Sequence, residues 1–438
     1  MDSEEARQST NPSGWERQYS RLARRTQSPA ISWLMAQALE VPGLISLAAG
    51  FVDQDSLPRR EIAPLLRELM EQASTGQAAL QYGTTAGDLE LRAELVIRLR
   101  NEGVFHADAE VDAARALIGS GSQQLLYLAA ETLLDEGDIV LVEAPTYFVV
   151  LGGFLSRGAQ VIGIDTDEQG IRPEKVAECL ERLQRQGHLP RVKMLYVMTY
   201  ATNPLGVTLS LERRQELMNI VWSYRDIGHP ILLVEDAAYR RLSFDPVPLP
   251  PVKSFDFDNK SVLYLESFSK SLSPGFRLGF GAGPKAIVDK MVDIKGNHDF
   301  GSGNLSQQLL KAVLREGFFD RHTETLRQVY RSKRDITWEI LQDTLPPEAD
   351  WYLPQGGFYF WITLPARIDT GPGGDLFRRA LEEKVLYVPG CLCYSPDRPE
   401  ARQSSALRLS YGMIGKDKLR EGCLRLGAAL APLAVPIP

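Results

Sequence analysis

An α/β chain, with a mostly parallel sheet between helices and a second, smaller α+β lobe, is the architecture this sequence predicts, and three observations carry the prediction. At 438 residues the chain exceeds the size at which a single hydrophobic core keeps growing, so two lobes are expected. From about Ala113 short β-rich runs (ARALIG, DIVLVE, VKMLYVM, PILLVED, SVLYLES) alternate with helical stretches such as QQLLYLAAETLL, which is the grammar of a doubly wound sheet. Those runs are almost continuously apolar, as strands covered by helices on both faces must be. Ligands of such a sheet sit where loops leave the carboxyl ends of its strands.

In chain order, residues 1–28 are rich in Ser, Arg, Gln and Asn and read as a flexible arm. Residues 29–57, with the helix-like PAISWLMAQALE and the run ISLAAG, read as the N-terminal part of the small lobe. Residues 58–310 form the large lobe. A single long helical stretch, roughly Leu305 to Leu341, leads into the C-terminal part of the small lobe at 311–438, where GGFYFWITLP, KVLYVPG and ALRLSYG supply strands.

Composition narrows the function. Apolar residues at 44% and charged residues at 24% are ordinary for a soluble globular protein. A net charge of −7 gives no reason to attract nucleic acid or an anionic membrane, so small metabolites are the expected partners. Four cysteines, Cys179, Cys391, Cys393 and Cys423, contain one close pair and fit neither a disulfide framework nor a four-ligand zinc site. No metal is expected. The opening MDSEEARQSTNPSGWERQ has no apolar core of a leader, and no run of roughly 18 apolar residues occurs, so a cytoplasmic location is expected.

The segment with most chemical content is Ser267-Phe-Ser269-Lys270-Ser-Leu-Ser-Pro-Gly-Phe-Arg277, directly after the strand-like SVLYLE. Two hydroxyls, a lysine and an arginine there can hold a phosphate dianion through charge-assisted hydrogen bonds beside the lysine amine. The neighbouring cation lowers the lysine pKa and makes the amine a better nucleophile toward an aldehyde. An ordinary solvated loop lysine is the competing reading of Lys270.

SFSKSLSPGFRLGF resembles the cofactor-lysine segment of the class I/II aminotransferases, pyridoxal 5'-phosphate (PLP) enzymes of fold type I in the aspartate aminotransferase superfamily, and the resemblance implies a mostly parallel sheet of the seven-stranded type in the large lobe. The GSQQ and SFSK segments are most similar to the 2-aminoadipate and kynurenine aminotransferase branch. The resemblance covers about Ile45 to Gly412, with the family's motifs in the family's order. It implies that Lys270 holds PLP as a Schiff base and that Ser122, Gln123, Ser267, Ser269 and Arg277 bind its phosphate. By itself Ser122 reads equally well as a helix cap. The resemblance further implies that Tyr147, in Glu143-Ala-Pro-Thr-Tyr147, stacks on the pyridine ring. Asn203, in Asn203-Pro-Leu-Gly206, and Tyr239 would share the ring's phenolate oxygen, although Leu205 stands where threonine is usual. Asp236, at the end of PILLVED, would pair with the pyridinium nitrogen; a strand-end cap is its bland alternative.

In the small lobe, the similarity makes Arg408 the fork that binds the substrate carboxylate and Gly50 part of a loop over the substrate. Asn203 is counted with both cofactor and substrate, and Tyr82 is expected to reach the phosphate of a neighbouring subunit in a homodimer. The implied activity is ping-pong transfer of an amino group from an L-amino acid to a 2-oxo acid. β-Elimination, decarboxylation or cyclisation on the same cofactor, and a noncatalytic binding relative, remain alternatives. Some members of the branch carry an N-terminal DNA-binding domain; the short arm here has no room for one, and an enzyme is expected. Aminoadipate enzymes commonly carry a basic residue in the first helix. PAISWLMAQALE has none, and its Trp33 and Leu34 point to an apolar or aromatic side-chain pocket, with a place for the tryptophan in the core of the lobe as the alternative.

Overall fold

The computed structural model describes residues 14–245, 249–398 and 405–434. The last residues of the chain and the first thirteen of the expected arm lie outside these. Eight strands form the large sheet, in the order Ala116–Gly119, Gly279–Ala282, Val262–Ser267, Leu232–Asp236, Val192–Met198, Ile139–Ala144, Gln160–Asp167 and Gly170–Ile171. From Val262–Ser267 to Gln160–Asp167 all neighbours are parallel. Gly279–Ala282 runs antiparallel to both its neighbours, and Gly170–Ile171 closes the far edge as an antiparallel hairpin, a two-residue eighth strand beyond the seven expected.

Residue alternation explains the two coverings. Leu141, Leu195, Val197 and Leu233 face the helices Pro173–Arg185 and Leu211–Asp226, whose Val176, Leu180, Leu217 and Val221 are buried with them. Val140, Val142, Tyr196 and Val234 face the other way, with Leu125, Leu126 and Ala129 of helix Ser122–Leu133. Full burial of each such aliphatic side chain stabilises the fold by roughly 1.5–3 kcal/mol. Helix starts are fixed locally: Ser210 accepts from Arg213 N at 3.4 Å, and Asp88 from Leu91 N at 2.8 Å.

The smaller sheet is antiparallel throughout, in the order Asp350–Trp351, Tyr359–Thr363, Ala406–Ser410, Val388–Pro389. Ile45–Ser46 pairs in parallel with Val385–Leu386, which fastens the segment before Pro58 to the C-terminal lobe. The expected single helix over Leu305 to Leu341 is two, Asn304–Arg315 and Phe318–Thr344. Gly317 separates them with φ +62°, a conformation that ends a helix and that glycine adopts without strain. The described part of the arm contains a turn at Glu16–Gln18 and a short helix, Arg21–Arg25, whose Arg21 and Arg25 pair with Glu136. Among the described residues no helix is long and apolar enough to cross a membrane, and no cluster of His, Cys, Asp and Glu is set to hold a metal.

Candidate active site

At the carboxyl ends of the large sheet, against the small lobe, lies a cavity of about 330 Å³. Its lining includes Gly50, Ser122, Gln123, Tyr147, Asn203, Asp236, Tyr239, Ser267, Ser269, Lys270, Arg277 and Arg408, all of the expected site residues but Tyr82. Each reaches the cavity for a local reason. Lys270 stands on a short helix, Phe268–Ser271, directly after strand Val262–Ser267, and Ser267 Oγ caps that helix by accepting from Ser269 N at 3.3 Å. The Lys270 amine donates to Gly50 O at 2.7 Å. Loss of solvent around it, then the charges of Arg408 and Arg277, bring its pKa down to about 8.

Asp236 is the last residue of its strand and is buried. Tyr196 donates its hydroxyl to Oδ2 at 3.0 Å, and Ala238 its backbone N–H to Oδ1 at 3.1 Å. These donors do not offset burial, which pushes the carboxyl up to about 6. A cation placed against Asp236 would reverse that shift.

Arg408 sits mid-strand between buried Leu407 and Leu409 and is itself 2% exposed. Nη1 donates to Asn203 Oδ1 and Nη2 to Ala48 O, both at 2.7 Å, while Nε has no partner. Its guanidinium stacks 4.3 Å from the Tyr359 ring centre. Among the described residues no carboxylate pairs with it. A buried guanidinium so incompletely satisfied is poised for an anion from outside the chain.

At the opposite end, helix Ser122–Leu133 begins in the cavity with Gly121 at φ +80°. Gly279 allows the neighbouring strand to press against that turn, since a Cβ there would lie 2.5 Å from Gly121 C and Ser122 N. Arg277, in a left-handed conformation with φ +50°, donates to Ser120 O at 3.2 Å. The free N–H groups of a helix start, the hydroxyls of Ser122, Ser267 and Ser269, and one guanidinium thus converge where a phosphate can be held. Gln123 Oε1 is buried there without a partner.

Several site residues escaped the sequence reading. Tyr359 lies within GGFYFWITLP, where its apolar neighbours disguise it as one more strand residue. Its hydroxyl accepts from Tyr239 at 3.1 Å and meets the Cα side of Gly50, where a Cβ would collide with it. Glu143 is buried beside Asp236; it accepts from Met198 N at 2.9 Å, and burial pushes its carboxyl up to about 8. Ile31, Phe51, Phe148 and Val149 supply apolar lining. The expectation for Trp33 and Leu34 is corrected: Trp33 stacks on Phe377 at 5.4 Å and Leu34 is in the core, because helical rotation turns Ile31, not them, to the cavity. Tyr82 stays away from the cavity of its own chain. It is 81% exposed and lies edge-on to Phe300.

Residues 42–426 match the family described as aminotransferase class I and II. The 2-aminoadipate transaminase of Thermus thermophilus is 33% identical over 96% of this chain and 98% of its own length. The aromatic-amino-acid aminotransferase 1 of Thermococcus litoralis is 30% identical over 95% of this chain and 94% of its own. A kynurenine aminotransferase structure from Pyrococcus horikoshii, in complex with PMP, superposes with a TM-score of 0.86 at 33% identity, covering 96% of this chain and 98% of that one.

Proposed function

This chain belongs to the class I and II aminotransferases and is a PLP-dependent enzyme of amino-group transfer, and we propose that its donor is an L-amino acid with an apolar or aromatic side chain. One observation carries this reading. The cationic residues lining the cavity are Lys270, Arg277 and Arg408, and each has a task at the cofactor or the α-carboxylate. Among the described residues none is left for a distal carboxylate, while Ile31, Phe51, Phe148 and Val149 line the remainder.

When bound, PLP supplies an aldehyde carbon and an electron-withdrawing ring. We assign the phosphate to Ser122, Gln123, Ser267, Ser269 and Arg277, and the ring face to Tyr147. Asp236 holds a proton on the ring nitrogen, a role supported by its buried, cation-free carboxyl. Asn203 accepts from Arg408 through Oδ1, which leaves its amide N–H groups to donate to the ring oxygen, and the Tyr239 hydroxyl would turn its one proton from Tyr359 to that same oxygen. Arg408 orients the substrate through a two-pronged contact with its carboxylate, and Gly50 borders the substrate. Lys270, with a pKa near 8, is the base that moves the α-proton.

The test is a panel of donors against 2-oxoglutarate and pyruvate, followed by cofactor absorbance. Aromatic and branched aliphatic donors are expected to give the highest kcat/KM. A preference for aspartate or 2-aminoadipate would overturn the donor assignment.

We further propose a cytoplasmic homodimer in which Tyr82 completes the phosphate site of the partner, supported by the exposure of Leu80, Tyr82 and Phe300 on one surface. The lobes divide at 29–57 with 311–438, against 58–310, behind an arm at 1–28; the pairing of Ile45–Ser46 with Val385–Leu386 supports that division.

A further inference from the structure

Helix Lys285–His298 ends at Asp299, whose backbone N–H caps the helix on Lys295 O. A carboxylate at that end opposes the helix dipole, so its presence calls for another partner. It has two. Asp299 Oδ1 takes the ammonium of Lys295 at 2.6 Å, and the Lys295 side chain is wholly buried. Asp299 Oδ2 accepts from Gln124 Nε2, also at 2.6 Å.

Gln124 turns its other end inward. Its Oε1 accepts from Ser120 N at 2.7 Å, as the third residue of a helix reaches back in a capping box. Arg277 Nη2 donates to the carbonyl of the same Ser120. Both backbone groups of Ser120 are therefore held from outside, and the turn Ser120-Gly121-Ser122 is fixed between them. That turn has a left-handed glycine and no side-chain cap of its own, so an amide side chain supplies the restraint.

We propose that Asp299 is a positioning residue for the cofactor phosphate: anchored by Lys295, it orients Gln124, which holds the Ser120–Ser122 turn with its N–H groups aimed at the phosphate. Asp299 touches neither cofactor nor substrate. The proposal rests on the assignment of the phosphate to Ser122, made above.

The test is equilibrium binding of pyridoxal phosphate and of pyridoxal, which lacks the phosphate, to the apo-protein, read by intrinsic fluorescence. Asp299→Ala is expected to weaken pyridoxal phosphate about tenfold, the equivalent of one charge-assisted contact, and to leave pyridoxal within about twofold. Because Asp299→Ala strands a buried ammonium, the double variant Lys295→Met/Asp299→Asn is measured beside it. It keeps an acceptor for Gln124 without the charge pair and is expected to recover pyridoxal phosphate affinity to within about threefold of the parent.

Equal loss for both ligands would show general damage and overturn the proposal, as would a double variant no better than Asp299→Ala. Ser122→Ala separates the proposal from the reading beneath it. If Ser122→Ala weakens pyridoxal phosphate selectively and Asp299→Ala does not, the positioning role falls and the phosphate assignment stands. If Ser122→Ala has no selective effect, the phosphate assignment falls and takes the proposal with it.

Discussion

Asp236 shows how a single residue is held at a cost to the fold. Its carboxyl is buried, takes two neutral hydrogen bonds and no cation, and its pKa stands near 6, above the ordinary carboxylate value. A pKa raised on folding contributes stability below the unfolded pKa and loses it as pH rises through the folded value. Apo-protein should therefore gain from Asp236→Asn: at pH 8 the variant should melt above the parent, and the gap should narrow as pH falls below about 6 and close only near the ordinary carboxylate value of about 4. Pyridoxal phosphate should reverse the order at pH 8, because only the carboxylate can pair with a charged ring nitrogen. Melting curves of both proteins with and without PLP decide it; a pH-independent gap would remove the carboxylate from this role. Lys270 gives the complementary expectation. Only its neutral amine attacks an aldehyde, so attachment of PLP to apo-protein should accelerate as pH rises through about 8, with borohydride reduction then marking that lysine. Arg408→Gln removes a neighbouring positive charge and should move the midpoint upward. Stopped-flow absorbance across pH checks both. The places of Lys270, Asp236 and Arg408 at the cavity were legible from motif and residue type, helped for Lys270 and Asp236 by a strand end; those of Tyr359 and Glu143 were not, since they depend on contacts with Gly50, Arg408 and Met198 that lie far away in sequence.

Elements were legible in proportion to their apolar content. The parallel strands declare themselves as short apolar runs, and each ends near the residue that the motifs require. Gly279–Ala282 carries two glycines in four residues and is not among the apolar runs, although it is a central antiparallel strand between Ala116–Gly119 and Val262–Ser267. What makes it a strand is its environment: its glycines admit the Gly121–Ser122 turn and the side chains of Leu117, Leu125 and Leu265. The break at Gly317 was hidden for the opposite reason, since helical periodicity continues on both sides of it. Gly279→Ala tests the element reading directly. The added methyl group meets the backbone of Gly121 and Ser122 and cannot be relieved by a side-chain shift, so a stability loss of about 1–3 kcal/mol is expected from overpacking. The same displacement should loosen pyridoxal phosphate more than pyridoxal. Gly281→Ala, which meets only leucine side chains at 3.1 Å or more, should be the milder change, and denaturant unfolding of the two variants makes the comparison.

At the scale of the whole molecule, Tyr82 sits with Leu80 and Phe300 on an exposed face, far from the cavity of its own chain, and its segment is tied to residues 300–304 by Thr85 donating to Phe300 O and Asn304 donating to Ala78 O and Gln81 O. A second copy covering that face would bury this apolar surface and bring a phenol to a phosphate. A mixture of two inactive or weakened chains distinguishes an intersubunit role from a local one. One chain carries Lys270→Ala and keeps Tyr82; the other carries Tyr82→Ala and keeps Lys270. If Tyr82 serves the neighbouring site, a mixed dimer has one site in which Lys270 of one chain meets the intact tyrosine of the other, and that site should bind pyridoxal phosphate as tightly as the parent. If Tyr82 acts only within its own chain, the lysine-bearing site in every mixed dimer still lacks its tyrosine, and no tight class of sites appears. Unfolding, mixing and refolding the two chains at increasing ratios of the Lys270→Ala chain should raise the tight fraction of the lysine-bearing sites toward completeness, because each is then increasingly paired with a Tyr82 donor. A titration curve that stays at the weak affinity throughout would assign Tyr82 to the site of its own chain, whereas a Tyr82→Ala chain that alone binds pyridoxal phosphate as tightly as the parent would place Tyr82 outside the phosphate site altogether, and the exposed face would then need another explanation.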